Sequence, residues 1–369
     1  HEAAGRPQQS LAPEMRSIAH RRQHIRPPAA SDGGRRVSGK GRWRPLLDGE
    51  VAEQAWEAVL AVAQALRERP PAVSWRAYAG RENASLASGT AGLAVFFSYL
   101  ADARPGEGWE EVAERHLDHA FETLASQPMP HLFYGGFSGV GWAVEHLTGR
   151  LLEAEEDEDE ANDVDQALLK ALEHPFRRGD YDLVGGLAGL AVYALEALPR
   201  PSARACLERV IDQLEAMAEE QPPGLTWFSP PEMLPEWQRE VAPRGYYNLG
   251  VAHGVTAVAT VLALSAAAGV EVDRCRRLLE PAMRWIFAQR RDAGETPDGH
   301  WSFPSWVAVG VPPQRSRFGW CYGDPGAAAA LLLAARAVGE ETWAQQALEV
   351  ARRAAGRSPE TALIRDAGL

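Results

Sequence analysis

Residues 186–195 read GLAGLAVYAL, a Gly-x-x-Gly turn that runs directly into an apolar helix. Glycine has no Cβ, so two glycines at this spacing allow a tight turn and a close approach of neighbouring backbones. The residues that follow are apolar on nearly every side of a helix, and such a helix is buried among other helices. This stretch therefore predicts a buried inner helix that is introduced by a glycine turn.

The same combination recurs along the chain. Gly-x-x-Gly-like turns begin at residues 89, 136, 186, 254 and 323, and each is followed by a segment rich in Ala, Leu and Val. We number them turn one to turn five. The first two intervals are about 50 residues and the last two about 70, which is enough for two helices per repeat and some added loops. One such turn carries little information, but five in phase indicate a repeat architecture.

The helices between the turns have a different character. Residues 51–67 and 204–220 place apolar side chains on one face and charged side chains on the other, which is typical of a helix at a protein surface. Buried and surface helices in alternation predict two concentric rings, an all-α fold of the α/α toroid class. No run of alternating polar and apolar residues predicts a β-strand. A toroid gathers its turns at one end, and we expect a functional site there.

Composition restricts the class of protein. The chain of 369 residues carries a net charge of −12 and has three cysteines. The negative charge argues against a general role in binding nucleic acid. So few cysteines favour a reduced, cytoplasmic protein over a disulfide-stabilised one. No apolar run reaches the length of about 20 residues that a transmembrane helix needs.

Two segments have a biased composition. Residues 1–42 are rich in arginine and poor in aliphatic residues, and they predict a disordered basic arm or a non-native extension. Residues 43–369 then form the toroid domain. The acidic run at residues 153–165 predicts a solvated loop between repeats, with the docking of a basic leader peptide as the alternative.

Polar residues that can carry chemistry stand at three of the turns. Asp182 precedes turn three, His253 lies at turn four, and Arg317, Cys321 and Tyr322 flank turn five. If the turns converge, these five side chains share one basin. Each has a structural alternative, because a lone cysteine is most often a small buried apolar residue and a histidine before glycine can simply cap a helix. Their coincidence at equivalent positions of the repeat favours a site.

Three motifs carry a family resemblance. The segments YDLVGGLAG at 181–189, YNLGVAHG at 247–254 and RFGWCYGDPG at 317–326 together resemble the lanthionine synthetase C-like family, the LanC cyclases. The order and phase of the motifs make the resemblance specific, and it extends from near Trp43 to Leu369. It implies an α/α toroid, which agrees with the fold predicted from the repeats.

The resemblance implies a zinc-dependent enzyme that forms thioethers. LanC enzymes add a cysteine thiol of a precursor peptide across the double bond of dehydroalanine or dehydrobutyrine, which gives lanthionine or methyllanthionine rings. By the same likeness, Cys321 matches a zinc ligand, and His253, Asp182, Arg317 and Tyr322 match positions associated with catalysis. A free thiol, with a pKa of about 8.5, is mostly protonated at neutral pH, and coordination to zinc deprotonates it.

The roles at this site follow from the same resemblance and from the charge that the reaction develops. His253 is assigned the acid–base role, because an imidazole with a pKa of about 6.5 can deliver the α-proton. Asp182 orients His253 or assists removal of the thiol proton. Arg317 stabilises the enolate oxygen or holds the peptide, and Tyr322 donates a hydrogen bond. These last three assignments are interchangeable.

One element of the family pattern is missing. A catalytic zinc takes about three protein ligands and one open position, and the family supplies two of the ligands from a Cys-His-Gly motif on a sixth turn. No Cys-His pair occurs in the 369 residues. The repeat interval places a sixth turn just beyond Leu369, so we expect the last inner repeat and the remaining Cys and His ligands there. We then expect zinc to be weakly bound or absent in the 369-residue chain; the alternative is a degenerate protein that ends at this point.

The expected partners follow from the leading interpretation. They are a dehydrated precursor peptide and a separate dehydratase, and peripheral association with a membrane export complex is also open. As alternatives, a LanC-like protein can add glutathione or another thiol to dehydroamino acids, and a zinc-free homologue can act as a peptide-binding scaffold. A toroidal glycosidase needs two carboxylates across a groove, for which Asp182 and Asp324 are the candidates.

Two further groups of residues have open roles. The aromatic residues Trp301, Phe303 and Trp306 line a substrate groove or pack in the core. Cys206 and Cys275 fall inside amphipathic segments, which favours a structural role for both.

Overall fold

The computed structural model describes residues 46–68, 83–152, 163–292, 301–313 and 315–362. By its contacts the chain divides into two units, one within residues 1–129 and 143–157 and the other within residues 130–142 and 158–369. The arm predicted at residues 1–42 lies outside the described residues. None of the helices in the described ranges is long and apolar enough to cross a membrane.

The first unit is built on helices α1 to α3. They span Gly49–Glu68 (α1), Thr90–Ala103 (α2) and Glu110–Ser126 (α3), and the residues of α4 (Phe137–Leu147) are divided between the two units. Phe97 of α2 stacks on Trp109 and His116 with ring centroids 5.8 and 5.4 Å apart. The guanidinium of Arg67, near the end of α1, lies 5.2 Å from the centre of the Trp109 ring. Aromatic packing therefore joins the three helices.

The second unit contains the other described elements. Its helices are α5 (Asp163–Leu172), α6 (Leu187–Glu196), α7 (Pro201–Met217), α8 (Glu236–Val241), α9 (Val255–Ala267), α10 (Val272–Ala288), α11 (Asp324–Val338), α12 (Glu341–Ala355) and α13 (Pro359–Ala362). A 3-10 helix spans Pro231–Met233, and the strands are β1 (Ala218–Gln221), β2 (Gly224–Trp227), β3 (Tyr247–Asn248) and β4 (Trp306–Val307). In this unit α9 packs on α6, α10 and α11, and α11 packs on α12.

The helices that follow the turns are the buried ones, as the repeat predicted. Gly89, Gly186, Gly254 and Gly323 are the N-cap residues of α2, α6, α9 and α11. Every residue of α9 from Val255 to Ala263 is buried. Small and β-branched side chains on all sides let neighbouring helices approach this one closely, so α9 lies in the core of its unit.

The helices between the turns are amphipathic. In α12 the buried residues Ala344, Ala347, Val350 and Ala354 recur at intervals of three and four and form the face that packs on α11. The helix predicted at residues 204–220 is α7, but it ends at Met217. The prediction was wrong for residues 218–220, which belong to strand β1.

Two small antiparallel sheets were not predicted. Strands β1 and β2 form a hairpin around Pro222-Pro223, and β3 pairs with β4 so that Tyr247 lies opposite Val307. These strands have four or two residues, which is too short for an alternating pattern to be recognised. The all-α class holds for the described residues, with these strands as an addition.

The end of the acidic run is not a solvated loop. Residues 153–162 lie outside the described residues, but Asp165 lies within α5 and has no exposed surface. Its carboxylate accepts hydrogen bonds from Arg200 Nε at 2.9 Å, the Tyr193 hydroxyl at 2.5 Å and the Ser202 hydroxyl at 2.6 Å. A buried carboxylate is costly unless it is paired and hydrogen-bonded. These three partners, which come from α6 and the start of α7, explain why the expectation from composition was wrong for this residue.

Candidate active site

Backbone hydrogen bonds join turns two to five. Tyr134 N donates to Val184 O at 3.1 Å, and Leu183 N donates to Ala252 O at 3.1 Å. Ala252 N in turn donates to Cys321 O at 3.3 Å. Each of these residues lies two or three positions before the glycine that opens its turn. The predicted convergence is confirmed for these four turns, all of which belong to the second unit.

The close approach of turns four and five depends on glycine. A Cβ on Gly250 would lie 2.3 Å from Cys321 O, and a Cβ on Gly323 would lie 2.0 Å from Arg317 O. Both distances are far below van der Waals contact, so neither position accepts a side chain unless the backbone moves. These two glycines therefore let turn five fold tightly and lie directly against the segment that leads into turn four.

The candidate acid–base pair forms between turns three and four. His253 Nδ1 lies 2.6 Å from Asp182 Oδ2. Asp182 Oδ1 accepts a second hydrogen bond from Gly185 N at 2.7 Å, which holds the carboxylate in place. The His253 side chain is 37% exposed and that of Asp182 is 22% exposed. The aspartate is therefore held by two contacts, and part of the imidazole is reachable from solvent.

Cys321 lies directly before turn five and is 2% exposed. Arg317 Nη2 donates to its Sγ at 2.9 Å, so positive charge is held beside this sulfur.

The other two cysteines are fully buried in α7 and α10. Burial raises the pKa of Cys275 to about 12 and raises the pKa of Cys206 as well. Both behave as small core side chains, which agrees with the structural role predicted for them.

Tyr322 completes the group of predicted residues. Its ring centroid lies 5.8 Å from that of His253. Burial raises the pKa of Tyr322; a hydrogen bond with Asn248 opposes this shift, and the charge of Asp182 adds to it. The hydroxyl therefore stays protonated at neutral pH and is able to donate a hydrogen bond. All five predicted residues lie on turns three to five or directly beside them.

Tyr134 was not among the residues predicted from the sequence. This residue stands two positions before Gly136 of turn two, which is the repeat position that Cys321 occupies before turn five. Its ring centroid lies 6.1 Å from that of Trp320, and burial together with the charge of Cys321 raises the pKa of its hydroxyl. Its position in the repeat, equivalent to that of Cys321, is the sequence signal by which it could have been found. Tyr134 is a second protonated hydroxyl at this end of the unit.

The described residues do not form a complete zinc site. Within them, no group of three histidine, cysteine, aspartate or glutamate side chains is arranged to hold a metal ion. Cys321 is a suitable donor, but the polar group at 2.9 Å from its sulfur is the guanidinium of Arg317, and a cation is not a metal ligand. A zinc ion at Cys321 would need its other ligands from outside the described residues.

Burial settles two questions that the sequence left open, the role of three aromatic residues and the glycosidase alternative. Trp301, Phe303 and Trp306 are 4%, 3% and 6% exposed, so they pack in the core and do not line an open groove. Asp324 has no exposed surface, and both of its carboxylate oxygens accept hydrogen bonds from backbone N–H groups. A glycosidase needs two carboxylates that reach the substrate, and the pair of Asp182 and Asp324 does not meet this requirement.

The chain matches known proteins over most of its length. A family model described as lanthionine synthetase C-like protein matches residues 80–362. Among solved structures, the fold is similar to that of a nisin cyclase, with a TM-score of 0.62 and 17% sequence identity over 83% of this chain and 76% of that chain. No curated protein matches the sequence significantly. The structural match confirms the predicted fold class, an all-α fold of the α/α toroid type.

Proposed function

We propose that this chain, which belongs to the lanthionine synthetase C-like family, is a lanthipeptide cyclase. It adds a cysteine thiol of a dehydrated precursor peptide across the double bond of dehydroalanine or dehydrobutyrine, and the product is a thioether ring. One observation carries the proposal. His253 and Asp182 form a pair with 2.6 Å between Nδ1 and Oδ2; turn three is hydrogen-bonded to turn four, and turn four is hydrogen-bonded to the turn of Cys321.

The reaction moves one proton from sulfur to carbon. The thiol loses its proton, the sulfur forms a bond to the β-carbon, and the π electrons of the double bond give an enolate. The α-carbon of the enolate then takes a proton. Because Asp182 occupies Nδ1 of His253, Nε2 is the ring atom that delivers this proton. A positioned general acid or base contributes about 10²–10⁴-fold to the rate of such a step.

Tyr322 and Arg317 have supporting roles. The pKa of Tyr322 is raised, so its hydroxyl carries a proton at neutral pH and can donate to the enolate oxygen as negative charge develops there. Arg317 Nη2 donates to Cys321 Sγ, which holds the guanidinium beside turn five. From there Arg317 can stabilise the enolate oxygen or hold the peptide.

Zinc belongs to the proposal through Cys321. Zn²⁺ deprotonates a coordinated thiol and so supplies a nucleophile at neutral pH. Among the described residues Cys321 would be a ligand, and the remaining Cys and His ligands would have to come from outside them. The tasks assigned to His253, Asp182 and Tyr322 are those of the chain's own side chains.

The partners follow from the chemistry of the substrate. Dehydroalanine and dehydrobutyrine are serine and threonine residues that have lost water, so a dehydration reaction must precede this one. We propose that a separate dehydratase supplies the dehydrated precursor peptide.

The proposal is tested with a synthetic peptide that carries one dehydroalanine and one cysteine. Ring closure leaves the mass of the peptide unchanged but removes its free thiol, so the remaining thiol is alkylated with N-ethylmaleimide and counted by mass spectrometry. With zinc supplied, the chain should consume the thiol faster than buffer with zinc alone. The peptide is made with several spacings between dehydroalanine and cysteine. If the chain and the buffer with zinc consume the thiol at equal rates for every spacing, the proposal is contradicted.

A second peptide separates the cyclase from the small-thiol alternative. It carries dehydroalanine and no cysteine, and glutathione is offered as the thiol. A cyclase should leave this peptide unmodified under conditions that close the ring in the first peptide. Rapid formation of the glutathione adduct without ring closure would favour addition of a small thiol.

A further inference from the structure

Residues 301–307 form a strap, and one end of it is fixed to turn five. Ser302 N and Phe303 N donate to the two carboxylate oxygens of Asp324 at 2.6 and 2.9 Å. Asp324 is the first residue of α11 and follows Gly323 of turn five. Because both oxygens are used, two consecutive residues of the strap are held by a single side chain.

The other end of the strap is fixed to the segment that leads into turn four. Leu249 N donates to Ser305 O at 3.0 Å, and Asn248 pairs with Trp306 in the β3–β4 ladder. The Trp306 ring stacks on Tyr246 with centroids 5.4 Å apart and an angle of 14° between the planes. The strap therefore forms a second connection between turns four and five, besides their direct hydrogen bond.

The surroundings of Asp324 suit an anchor. The residue has no exposed surface, so a peptide substrate does not reach it. Burial raises the pKa of its carboxyl group, and the hydrogen bonds from Phe303 and Ser302 and the charges of Arg357 and Arg353 oppose this shift. A carboxylate that accepts two backbone hydrogen bonds forms charge-assisted contacts, which are shorter and stronger than neutral ones.

We infer that Asp324 is a positioning residue that sets the placement of Cys321 relative to His253. Cys321 precedes Asp324 by three residues on turn five, and the strap transmits the restraint to turn four, where His253 lies. The direct hydrogen bond between these turns, from Ala252 N to Cys321 O, is 3.3 Å long. This is longer than the usual distance of about 2.9–3.0 Å, so a second restraint between the turns adds to a weak one. Asp324 acts through the strap and not on the reacting atoms. The kinetic part of this inference rests on the proposed function, whereas its structural part does not.

Two variants of Asp324 test the inference by hydrogen–deuterium exchange. Asp324→Ala leaves two buried N–H groups without an acceptor, while Asp324→Asn keeps one side-chain oxygen. Exchange is followed by mass spectrometry in peptides that cover residues 246–254 and 317–323. We expect faster exchange in both peptides for Asp324→Ala and a smaller increase for Asp324→Asn. Unchanged exchange in residues 246–254 of Asp324→Ala would overturn the inference.

Ser202→Ala is the matched control. It removes one hydrogen bond from the buried carboxylate of Asp165, which lies in the cluster of α5, α6 and α7. We expect this variant to leave exchange at both turns unchanged at a temperature where all variants are folded. An equal increase in the control would mean that the turns respond to any loss of stability, and that result also contradicts the inference. If Asp324→Ala does not fold, exchange at the two turns is compared between Asp324→Asn and Ser202→Ala. Faster exchange in Asp324→Asn supports the inference, and equal exchange overturns it.

The kinetic readout separates a positioning residue from a purely structural one. In the ring-closure assay we expect kcat of Asp324→Ala to fall about 10-fold or more at a nearly unchanged KM, because a displacement of about 1 Å between reacting groups costs up to about 100-fold in rate. Asp324→Asn should recover part of this loss. A loss of stability with unchanged kcat would contradict the positioning role. If the wild-type chain closes no ring, the proposed function fails, but the exchange result still decides the structural part.

Discussion

Two pairs of a basic and an acidic side chain in the second unit lie in opposite surroundings. The side chains of His253 and Asp182 are 37% and 22% exposed, whereas those of Arg200 and Asp165 are 5% and 0% exposed. Around the buried pair, hydroxyl groups occupy further positions on the carboxylate. In the exposed pair, the imidazole has one nitrogen that Asp182 does not occupy. The difference indicates a stabilising role for the buried pair and leaves the exposed pair accessible to a ligand.

The difference has a simple physical origin. Charges that leave water lose their solvation, so a buried pair is stable only when its geometry and additional hydrogen bonds compensate. A substrate cannot reach such a pair, because its side chains are buried and its carboxylate oxygens are already hydrogen-bonded. A half-exposed histidine beside a fixed carboxylate keeps part of its solvation and stays accessible to a ligand. Breaking each pair separately should therefore affect different measurements.

The largest effect is expected for the buried pair. Asp165→Ala leaves the guanidinium of Arg200 buried without its carboxylate, and loss of one partner of a buried pair costs about 3–5 kcal/mol. Denaturant unfolding should show this decrease in the free energy of unfolding. Asp165→Ala/Arg200→Met, which removes both charges, should recover part of the loss. A decrease below about 1 kcal/mol, the range of exposed pairs, would contradict the contrast between the two sites.

The second prediction breaks the exposed pair. His253→Gln should lower kcat for ring closure by about 10²–10⁴-fold, since that is the usual contribution of a general acid or base. The melting temperature should change little, because the side chain is half-exposed. His174→Gln is the control, since His174 is an exposed histidine and is not assigned to the site. Loss of activity in both variants, or in neither, would count against the role of His253.

The third prediction keeps the shape of the exposed pair and changes its polarity. In Asp182→Asn the side-chain oxygen can still accept from Gly185 N, but an NH₂ group then faces His253 Nδ1. The imidazole is held in the other tautomer, and we expect a loss of about 10- to 100-fold in kcat, as is usual when the carboxylate partner of a functional histidine is removed. Steady-state kinetics of ring closure measures this loss. A variant as active as the wild type would show that Asp182 does not orient the imidazole.

The smallest effect concerns the pH dependence of stability. Burial lowers the pKa of His131, and the charge of Asp180 partly opposes this shift. The folded state therefore favours the neutral ring, so its contribution to stability is present above the ordinary pKa of about 6.5. That contribution is lost as the pH falls from this value towards the lowered pKa. His131→Gln should make the melting temperature less sensitive to pH in this window, and an unchanged pH profile would contradict the assignment.

The repeat made much of the fold predictable. Five glycine turns in phase identified the inner helices, and the apolar residues of α9 identified a helix that is buried on nearly all sides. The sheets were missed because strands of two to four residues show no periodicity. The end of α7 was missed for a related reason, since the chain continues from Met217 directly into strand β1 of a short hairpin.

The proximity of the candidate residues was predictable, but the contacts between them were not. Repeat phase and family resemblance predicted that the candidate residues lie at neighbouring turns; these are His253, Asp182, Arg317, Cys321 and Tyr322. That Asp182 binds the imidazole and Arg317 contacts the sulfur depends on side-chain directions, which a sequence does not contain. Asp165 was assigned to a solvated loop because its sequence neighbours are acidic, whereas its partners come from other helices.

The measurement that tests the central claim most directly is a double-mutant cycle in the ring-closure assay. Rates are compared for the wild-type chain, His253→Gln, Asp182→Asn and the variant with both changes, with zinc supplied to each. If turns three and four form one acid–base unit, the double variant should be no slower than His253→Gln, because Asp182 acts through the imidazole. Rate losses that multiply in the double variant, or a wild-type chain that closes no ring, would contradict the account.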